Sequence, residues 1–179
     1  MGRALFIKIH LYLSAFFSVA VILVATSGGL YLLGVKGSLE TTRVAVLAEA
    51  ASQVAEPSKE NVTALLAQAG ITDFEFDYVK NRGTVLQTRP TSRPYYQLTI
   101  AEQAVTIDYM VPSLQKQMME LHMGHGPSDY KTYQQIFAAG MLFIMVSGLW
   151  LGLSSPRLRA PTAVAAGGGL LLFVVLALF

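Results

Sequence analysis

The stretch IHLYLSAFFSVAVILVATSGGLYLLGV, residues 9–35, decides the class of this protein. It contains no Asp, Glu, Lys or Arg, and it exceeds the roughly 20 apolar residues that cross a bilayer as a helix. Two more stretches without these charges, residues 132–156 and 160–179, are long enough to do the same. The sequence therefore predicts a membrane protein with three transmembrane α-helices.

The composition of the whole chain agrees with this class. Of the 179 residues 53% are hydrophobic and 13% are charged, which is about half the charged share usual in soluble proteins. The chain has no cysteine, which excludes thiolate metal sites, iron–sulfur clusters, cysteine nucleophiles and covalent c-type haem attachment. The net charge of +2 is small and scattered, so nucleic acid is excluded as a partner.

The charges outside the apolar stretches are distributed unevenly. All 11 acidic residues lie within residues 36–131, whereas the N-terminal tail and the loop before the third stretch carry only basic residues: Arg3, Lys8, Arg157 and Arg159. By the positive-inside rule, the tail and this loop are cytoplasmic, so residues 36–131 and the C-terminus are periplasmic if the cell is a bacterium. A cleaved signal peptide is the alternative for the N-terminus, although the apolar run is long for a signal core.

A small periplasmic α+β domain is predicted between the first two spans. Residues 57–69 have a candidate N-cap in Ser58, apolar residues at helical spacing and a stop signal in Gly70. Four candidate strands follow at residues 72–80, 83–89, 94–100 and 103–109, with alternation clearest in the first. One helix packed on an antiparallel sheet is the expected product.

Residues 112–123 return to a helical period and predict a short helix at the membrane surface. One face of this helix carries Leu114, Met118, Leu121 and His122, and the rest carries Gln115, Lys116 and Glu120. The predicted division is a tail with the first span (1–35), the α+β domain (36–111), the surface helix and lead-in (112–131), the second span (132–156), and a loop with the third span (157–179).

The three histidines are the only strong nitrogen ligands in the chain. His10 lies inside the first span near its cytoplasmic end, where an ionisable group is a candidate functional residue. Its helix face also carries the small residues Ser14, Ser18, Ala25 and Gly28. Two interpretations stay open: this face packs closely against another helix, or it admits a flat cofactor.

His122 and His125 lie at the outer end of the second span. Two imidazoles spaced i, i+3 on one face cannot hold opposite sides of a single porphyrin. One of them is therefore a candidate axial ligand, and the other is a supporting or solvated group.

The first two spans carry matching motifs. Ile9-His10 opens the first span, which closes on Ser27-Gly28-Gly29, whereas Leu121-His122 precedes the second span, which closes on Ser147-Gly148-Leu149. These segments resemble the PepSY-associated transmembrane-helix family, and the domain between them is similar to the PepSY fold. The resemblance covers nearly the whole chain, and His125 lies outside the family pattern.

Several members of this family are inner-membrane reductases of ferric iron or ferric siderophores. The three-span chain looks most like the VciB-type ferric reductases, which assist ferrous iron uptake. The resemblance thus implies a haem b-containing transmembrane ferric reductase whose axial ligands are His10 and His122. The slim face of Ser14, Ser18 and Gly28 would lie beside the cofactor. The residues themselves add Glu120, His125 and Asp129 as candidates to bind iron at the outer surface, where hard carboxylate oxygens favour Fe³⁺. The alternative is that Glu120 and Asp129 are solvated caps.

Cofactor chemistry agrees with this implication, because haem b held only by histidine is the sole redox cofactor for which this chain has ligands. No nucleotide-binding fingerprint is present, so we expect electrons from membrane quinol or from a separate, flavin-containing reductase. In the predicted topology, about 30 Å of hydrocarbon separates His10 from His122. Two axial imidazoles at one level then require a second chain, which predicts a C2 homodimer.

The expected partners are a second copy of this chain, ferric iron or a ferric chelate, a ferrous iron transporter and membrane lipid. Three other functions stay open. Met118, Met119 and Met123 suggest copper, although methionines at this spacing are more often packing residues. The chain is otherwise a non-enzymatic membrane-anchored PepSY module that binds a periplasmic protein, or a haem-free accessory subunit of a transporter.

Overall fold

A computed structural model of the chain describes residues 2–54 and 57–179. Their elements in chain order are α1 (Arg3–Leu32), β1 (Leu39–Ala48), a 3₁₀ turn (Ala51–Val54), α2 (Lys59–Gln68), β2 (Tyr78–Asn81), β3 (Val85–Arg89), β4 (Tyr95–Ile100), β5 (Ala104–Pro112), α3 (Leu114–His122), α4 (Ser128–Leu153) and α5 (Arg159–Leu178). By length and composition, α1, α4 and α5 are able to cross a membrane. The prediction of three long apolar helices with a small α+β region is confirmed.

The described chain forms two compact units, and the boundary between them falls within α1 and within α4. One unit comprises Met1–Ala20 with Gln135–Phe179, and the other is Val21–Gln134.

The first unit is entirely helical, and small residues set its packing. The Phe17 side chain of α1 is buried and stacks edge-on against Phe137 of α4, with ring centroids 5.6 Å apart. The same ring lies so close to Gly140 that a side-chain carbon there would overlap it. Gly152 of α4 makes a similarly close approach to Thr162 of α5.

The second unit contains an antiparallel sheet in the order β1-β5-β4-β3-β2. Leu86, Leu98 and Ile107 are aligned across β3, β4 and β5, and all three are fully buried. They belong to one apolar core with Val62 and Leu65 of α2. The predicted helix is confirmed, and its N-cap is Ser58, whose Oγ accepts a hydrogen bond from the Asn61 N–H.

The opposite face of the sheet is polar, because side chains alternate between the two faces of a strand. Gln87, Gln97 and Asp108 form the row next to the aligned Leu86, Leu98 and Ile107. Gln87 Nε2 donates to Gln97 Oε1 over 3.0 Å, and Arg43 Nε of β1 donates to Asp108 Oδ1 over 2.8 Å. The sheet therefore has one face for the core and one face for polar chemistry.

The structure differs from the strand predictions in two places. Alternation was clearest in residues 72–80, yet only Tyr78–Asn81 pair as a strand there. Phe74 and Phe76 pack on the core from irregular backbone, so their alternation reflects burial and not strand pairing. Strand β1 was not predicted, because it lies at the sheet edge and its mostly exposed side chains give no alternating pattern.

Candidate functional site

His10 of α1 contacts Ser147 of α4 within the first unit. His10 Nδ1 lies 2.9 Å from Ser147 Oγ, and the Ser147 hydroxyl donates its proton to the Ile144 carbonyl over 3.1 Å. Since that hydroxyl has one proton, its oxygen accepts the bond from the imidazole, and we assign the proton of His10 to Nδ1. In the neutral form of the ring, this tautomer leaves the lone pair on Nε2.

Gly148 lets the imidazole come close to α4. A Cβ atom at Gly148 would lie 3.1 Å from His10 Cε1, closer than most such contacts allow. Ser147 is almost fully buried beneath the ring, and His10 itself is half-buried. We call His10, Ser147 and Gly148 the His10 site.

The second unit contains the same arrangement, but here α1 supplies the serine and the glycine, and the histidine comes from α3. His122 Nδ1 lies 3.1 Å from Ser27 Oγ of α1, and the Ser27 hydroxyl donates to the Val24 carbonyl over 3.2 Å. A Cβ atom at Gly28 would lie 3.3 Å from His122 Cε1. We call His122, Ser27 and Gly28 the His122 site, and its imidazole is again assigned as the Nδ1–H tautomer.

Both sites leave Nε2 available. Within residues 2–54 and 57–179, neither His10 nor His122 uses Nε2 in a hydrogen bond. A neutral imidazole with its other N–H bound to an acceptor is the usual state of a histidine that ligates iron, copper or zinc. Each site therefore has the form of a metal-ligating histidine with its supporting hydrogen bond in place.

The His122 site depends on the position of the short helix α3. Ser113 caps α3 and also pairs with Ser38, since its N–H donates to the Ser38 carbonyl and its Oγ accepts from the Ser38 N–H, both over 2.9 Å. Gln115 Nε2 donates to the carbonyls of Ser27 and Val35 over 3.1 and 3.0 Å. These bonds hold α3 beside the C-terminal turns of α1.

Glu120 attaches α3 to the sheet domain. Only 6% of the residue is exposed, and its carboxylate accepts from Lys116 Nζ (2.8 Å), Thr91 Oγ (2.6 Å) and His125 Nδ1 (2.7 Å). Burial alone would raise the pKa of Glu120, but these hydrogen bonds and the Lys116 charge outweigh it and hold the pKa below its usual value. Arg89 adds a second cation at 3.8 Å.

The surroundings of Glu120, His125 and Asp129, the three residues predicted at the outer face, differ from those expected. Glu120, expected on the polar surround of its helix, is buried, and His125 is bound to it. Asp129 is exposed at the start of α4. Among the residues that the structure describes, no three His, Asp or Glu side chains form a group that could hold a metal ion. The three residues do not form a preassembled iron site, and their roles stay predictions.

The small residues on one face of α1 make different kinds of contact. Ser14 Oγ donates to the His10 carbonyl over 2.7 Å, and Ser18 Oγ donates to the Ala15 carbonyl over 2.8 Å, so both hydroxyls are satisfied within the helix. Gly28 instead accommodates the His122 ring. Sequence reasoning gave no role to Ser27 or Ser147, although the repeated Ser-Gly pair was a usable signal.

Comparison with models of known families, with curated proteins and with solved structures gave no match to this chain. Its function is therefore argued from the two histidine sites.

Proposed function

We propose that this protein is a haem b-binding ferric reductase of the bacterial inner membrane, of the PepSY-associated transmembrane-helix family. The observation that carries the proposal is the pair of sites in which His10 and His122 have Nδ1 bound to a serine and Nε2 free. Bound b-type haem supplies a one-electron Fe³⁺/Fe²⁺ couple, which is the chemistry that ferric reduction needs.

The donor set fits this cofactor. Serine fixes the tautomer and the orientation of each imidazole, as the partners of metal-bound histidines commonly do. The glycine beside each ring lets the imidazole come close to the neighbouring helix. Because the chain has no cysteine, the cofactor would be held by these ligands and by packing alone.

The charge distribution supports a topology with the N-terminal tail and the loop before α5 in the cytoplasm, and with the sheet domain and the C-terminus in the periplasm. His10 then lies near the cytoplasmic surface and His122 near the periplasmic surface. At each level a single chain offers one serine-bound imidazole, since His125 Nδ1 is bound to Glu120 instead. A C2 homodimer would bring two equivalent histidines together at each level, and these imidazoles would hold the haem.

Electrons would come from membrane quinol and go to ferric iron or a small ferric chelate outside. Oxidation of one quinol to quinone releases two protons and two electrons, so each quinol reduces two Fe³⁺ to Fe²⁺. The half-buried His125 and the exposed Asp129, which follow α3, are the residues proposed to meet the ferric substrate. The ferrous product would pass to a transporter.

Protein purified in detergent from haem-replete cells tests this proposal. We expect a low-spin bis-imidazole b-type spectrum, and we expect ferric citrate to reoxidise the dithionite-reduced protein in stopped flow. Gallium citrate, which has the same charge but cannot accept an electron, should leave the protein reduced. A colourless protein contradicts the cofactor, whereas a haem that ferric citrate does not oxidise contradicts the reductase alone.

Protease accessibility tests the topology. Protease added to spheroplasts should cut within residues 36–111 and leave the N-terminal tail intact. Cleavage that requires opened membranes would reverse the orientation and move the ferric site to the other side.

A second candidate is a haem-free, membrane-anchored module that binds a periplasmic or transporter partner. The close contacts of His10 with Gly148 and of His122 with Gly28 favour it, because the same contacts can serve helix packing alone. In that case, His10→Gln and His122→Gln, which keep a hydrogen-bonding side chain, should leave folding and partner binding intact in a colourless protein.

A further inference from the structure

A polar cavity of about 160 Å³ lies in the second unit, between the polar ends of β3 and β4 and helix α3. Its wall includes three cationic side chains, those of Arg82, Arg89 and Lys116, and one carboxylate, that of Glu120. The lining thus has an excess of positive charge. It contains neither of the two histidine sites.

Glu120, the carboxylate in the cavity wall, already accepts hydrogen bonds from neighbouring side chains. Glu120 Oε1 accepts from Lys116, and Glu120 Oε2 accepts from the Thr91 hydroxyl. Thr91 Oγ in turn accepts from an Arg89 Nη1 proton over 2.7 Å.

The amide acceptors are in use as well. Gln97 Oε1 accepts from Gln87 Nε2, and Gln87 Oε1 accepts a long bond of 3.5 Å from Arg89 Nη2. Each side-chain oxygen of Glu120, Thr91, Gln87 and Gln97 therefore already accepts a hydrogen bond.

Several donors have no acceptor among the described residues. Arg89 is 2% exposed, and its Nε is without a hydrogen-bond partner. Neither the Tyr95 hydroxyl nor the Arg82 guanidinium forms a hydrogen bond within this part of the chain. Burial raises the pKa of Tyr95, which keeps its hydroxyl protonated as a donor. A buried guanidinium with unused N–H groups is costly unless something supplies acceptors.

We propose that this cavity binds a small oxyanion through Arg82, Arg89 and Tyr95. The ligand class is a carboxylate or phosphate, since the planar guanidinium fork matches two oxygens of such a group. The volume admits inorganic phosphate or a small polycarboxylate and excludes large ligands. The site is independent of the haem proposal, because none of its residues belongs to a histidine site.

Calorimetric titration of the full chain in detergent, at constant ionic strength, tests the proposal. The probes are inorganic phosphate, citrate, and trimethyl citrate, which keeps the skeleton of citrate without its charges. We expect saturable binding of phosphate or citrate and none of trimethyl citrate. Binding of only one anion identifies the source of the oxygens, and absence of binding by both overturns the site.

Variants with intact cores separate this site from general charge attraction. Arg82→Gln changes an exposed residue and should weaken binding about tenfold, and Tyr95→Phe should weaken it about threefold, as expected for lost hydrogen bonds to an anion. Arg93→Gln is the matched control, because Arg93 is exposed in the same unit and lines a different cavity. Unchanged binding in Arg82→Gln, or an equal loss in Arg93→Gln, overturns the proposal. Haem-free protein serves equally well, so failure of this proposal is distinguishable from failure of the ferric reductase.

Discussion

The His10 site and the His122 site have the same local geometry but are held in place by different means. At the His10 site, both the histidine and the Ser-Gly pair belong to long apolar helices, α1 and α4. At the His122 site, the imidazole belongs to the last residue of α3, a helix of nine residues. A nine-residue helix is too short to be stable by itself, so its position must come from its contacts.

Apolar packing supports the first site. The Phe17 ring fills the space that Gly140 leaves open, and it brings α1 and α4 together seven residues along from His10. Hydrogen bonds support the second site, through Ser113, Gln115 and Glu120. One histidine–serine geometry is thus reached by close packing in one unit and by polar anchoring in the other. The two sites should therefore respond differently to charge and to pH.

The largest expected effect comes from removing the imidazole of either site. His10→Ala and His122→Ala should each lower haem content at least about tenfold, since each removes the nitrogen proposed to bind iron. His125→Ala is the control, because its Nδ1 is bound to Glu120 and not to a serine of this arrangement. The pyridine haemochrome per mole of protein measures the loss. Full retention in both variants would make both sites purely structural, whereas loss in one variant alone would leave a single haem site.

Removing the charge of Glu120 should disturb only the polar-anchored site. Glu120→Gln leaves the buried Arg89 without its carboxylate, and breaking a buried pair of this kind costs about 3 kcal/mol of unfolding free energy. Asp129→Asn, at an exposed position, should change the unfolding free energy little. Hydrogen exchange should show faster opening of α3 in Glu120→Gln, with the His10 region unchanged. Equal loosening of both regions would contradict separate support.

The lowered pKa of Glu120 predicts how the stability of the sheet domain changes with pH. Because the folded pKa of Glu120 is lowered, its stabilising contribution is complete above the ordinary carboxyl pKa and is lost as pH falls through the lowered value. Acid unfolding of the sheet domain should therefore be less steep in Glu120→Gln than in the wild type. If the stability of the sheet domain falls equally steeply with decreasing pH in both proteins, Glu120 is not the group that titrates.

How much of the fold and of the two sites the sequence could predict depends on how far each signal lies from the element that it specifies. Runs without charge predicted the three long helices, and Ser58 predicted the start of α2, because each signal lies within or directly before the element that it specifies. The edge strand β1 gave no signal, since its partner β5 lies far along the chain and its own side chains are mostly exposed.

The histidines followed directly from composition, whereas their partners did not. Ser147 is 137 residues from His10, and Ser27 is 95 residues from His122. Burial of Glu120 likewise needs Thr91, which is 29 residues away. No periodicity within a helix contains information of this kind. Only the fold brings these groups together. The sequence predicted an open cluster of Glu120, His125 and Asp129 at the outer surface. In the structure Glu120 is buried and bound to His125, and Asp129 is exposed.

Removing the supporting hydroxyl should have a smaller effect than removing the ligand. Ser147→Ala and Ser27→Ala each release one imidazole Nδ1–H, and lost partners of ligating histidines typically lower metal affinity about tenfold or more. We expect faster haem dissociation and a shifted midpoint potential. Ser14→Ala is the matched control, since that hydroxyl donates to a carbonyl of its own helix. A change in Ser14→Ala as large as that in Ser147→Ala would contradict a specific role for the supporting hydroxyl.

The smallest effects should come from adding one methyl group beside each ring. The added Cβ would lie 3.1 Å from His10 Cε1 in Gly148→Ala and 3.3 Å from His122 Cε1 in Gly28→Ala, so each ring must move by a few tenths of an ångström. Alanine also favours the helix by up to about 1 kcal/mol, which offsets the crowding, so the unfolding free energy is a poor measure of the contact. The haem absorption and the midpoint potential should instead report the displaced ligand, more strongly for Gly148→Ala than for Gly28→Ala. Gly29→Ala makes the same chemical change at the next position of α1 with nothing within 4 Å, and should behave like the wild type. If Gly29→Ala shifted the potential as much as the other two, the cause would be the helix backbone and not contact with the imidazoles.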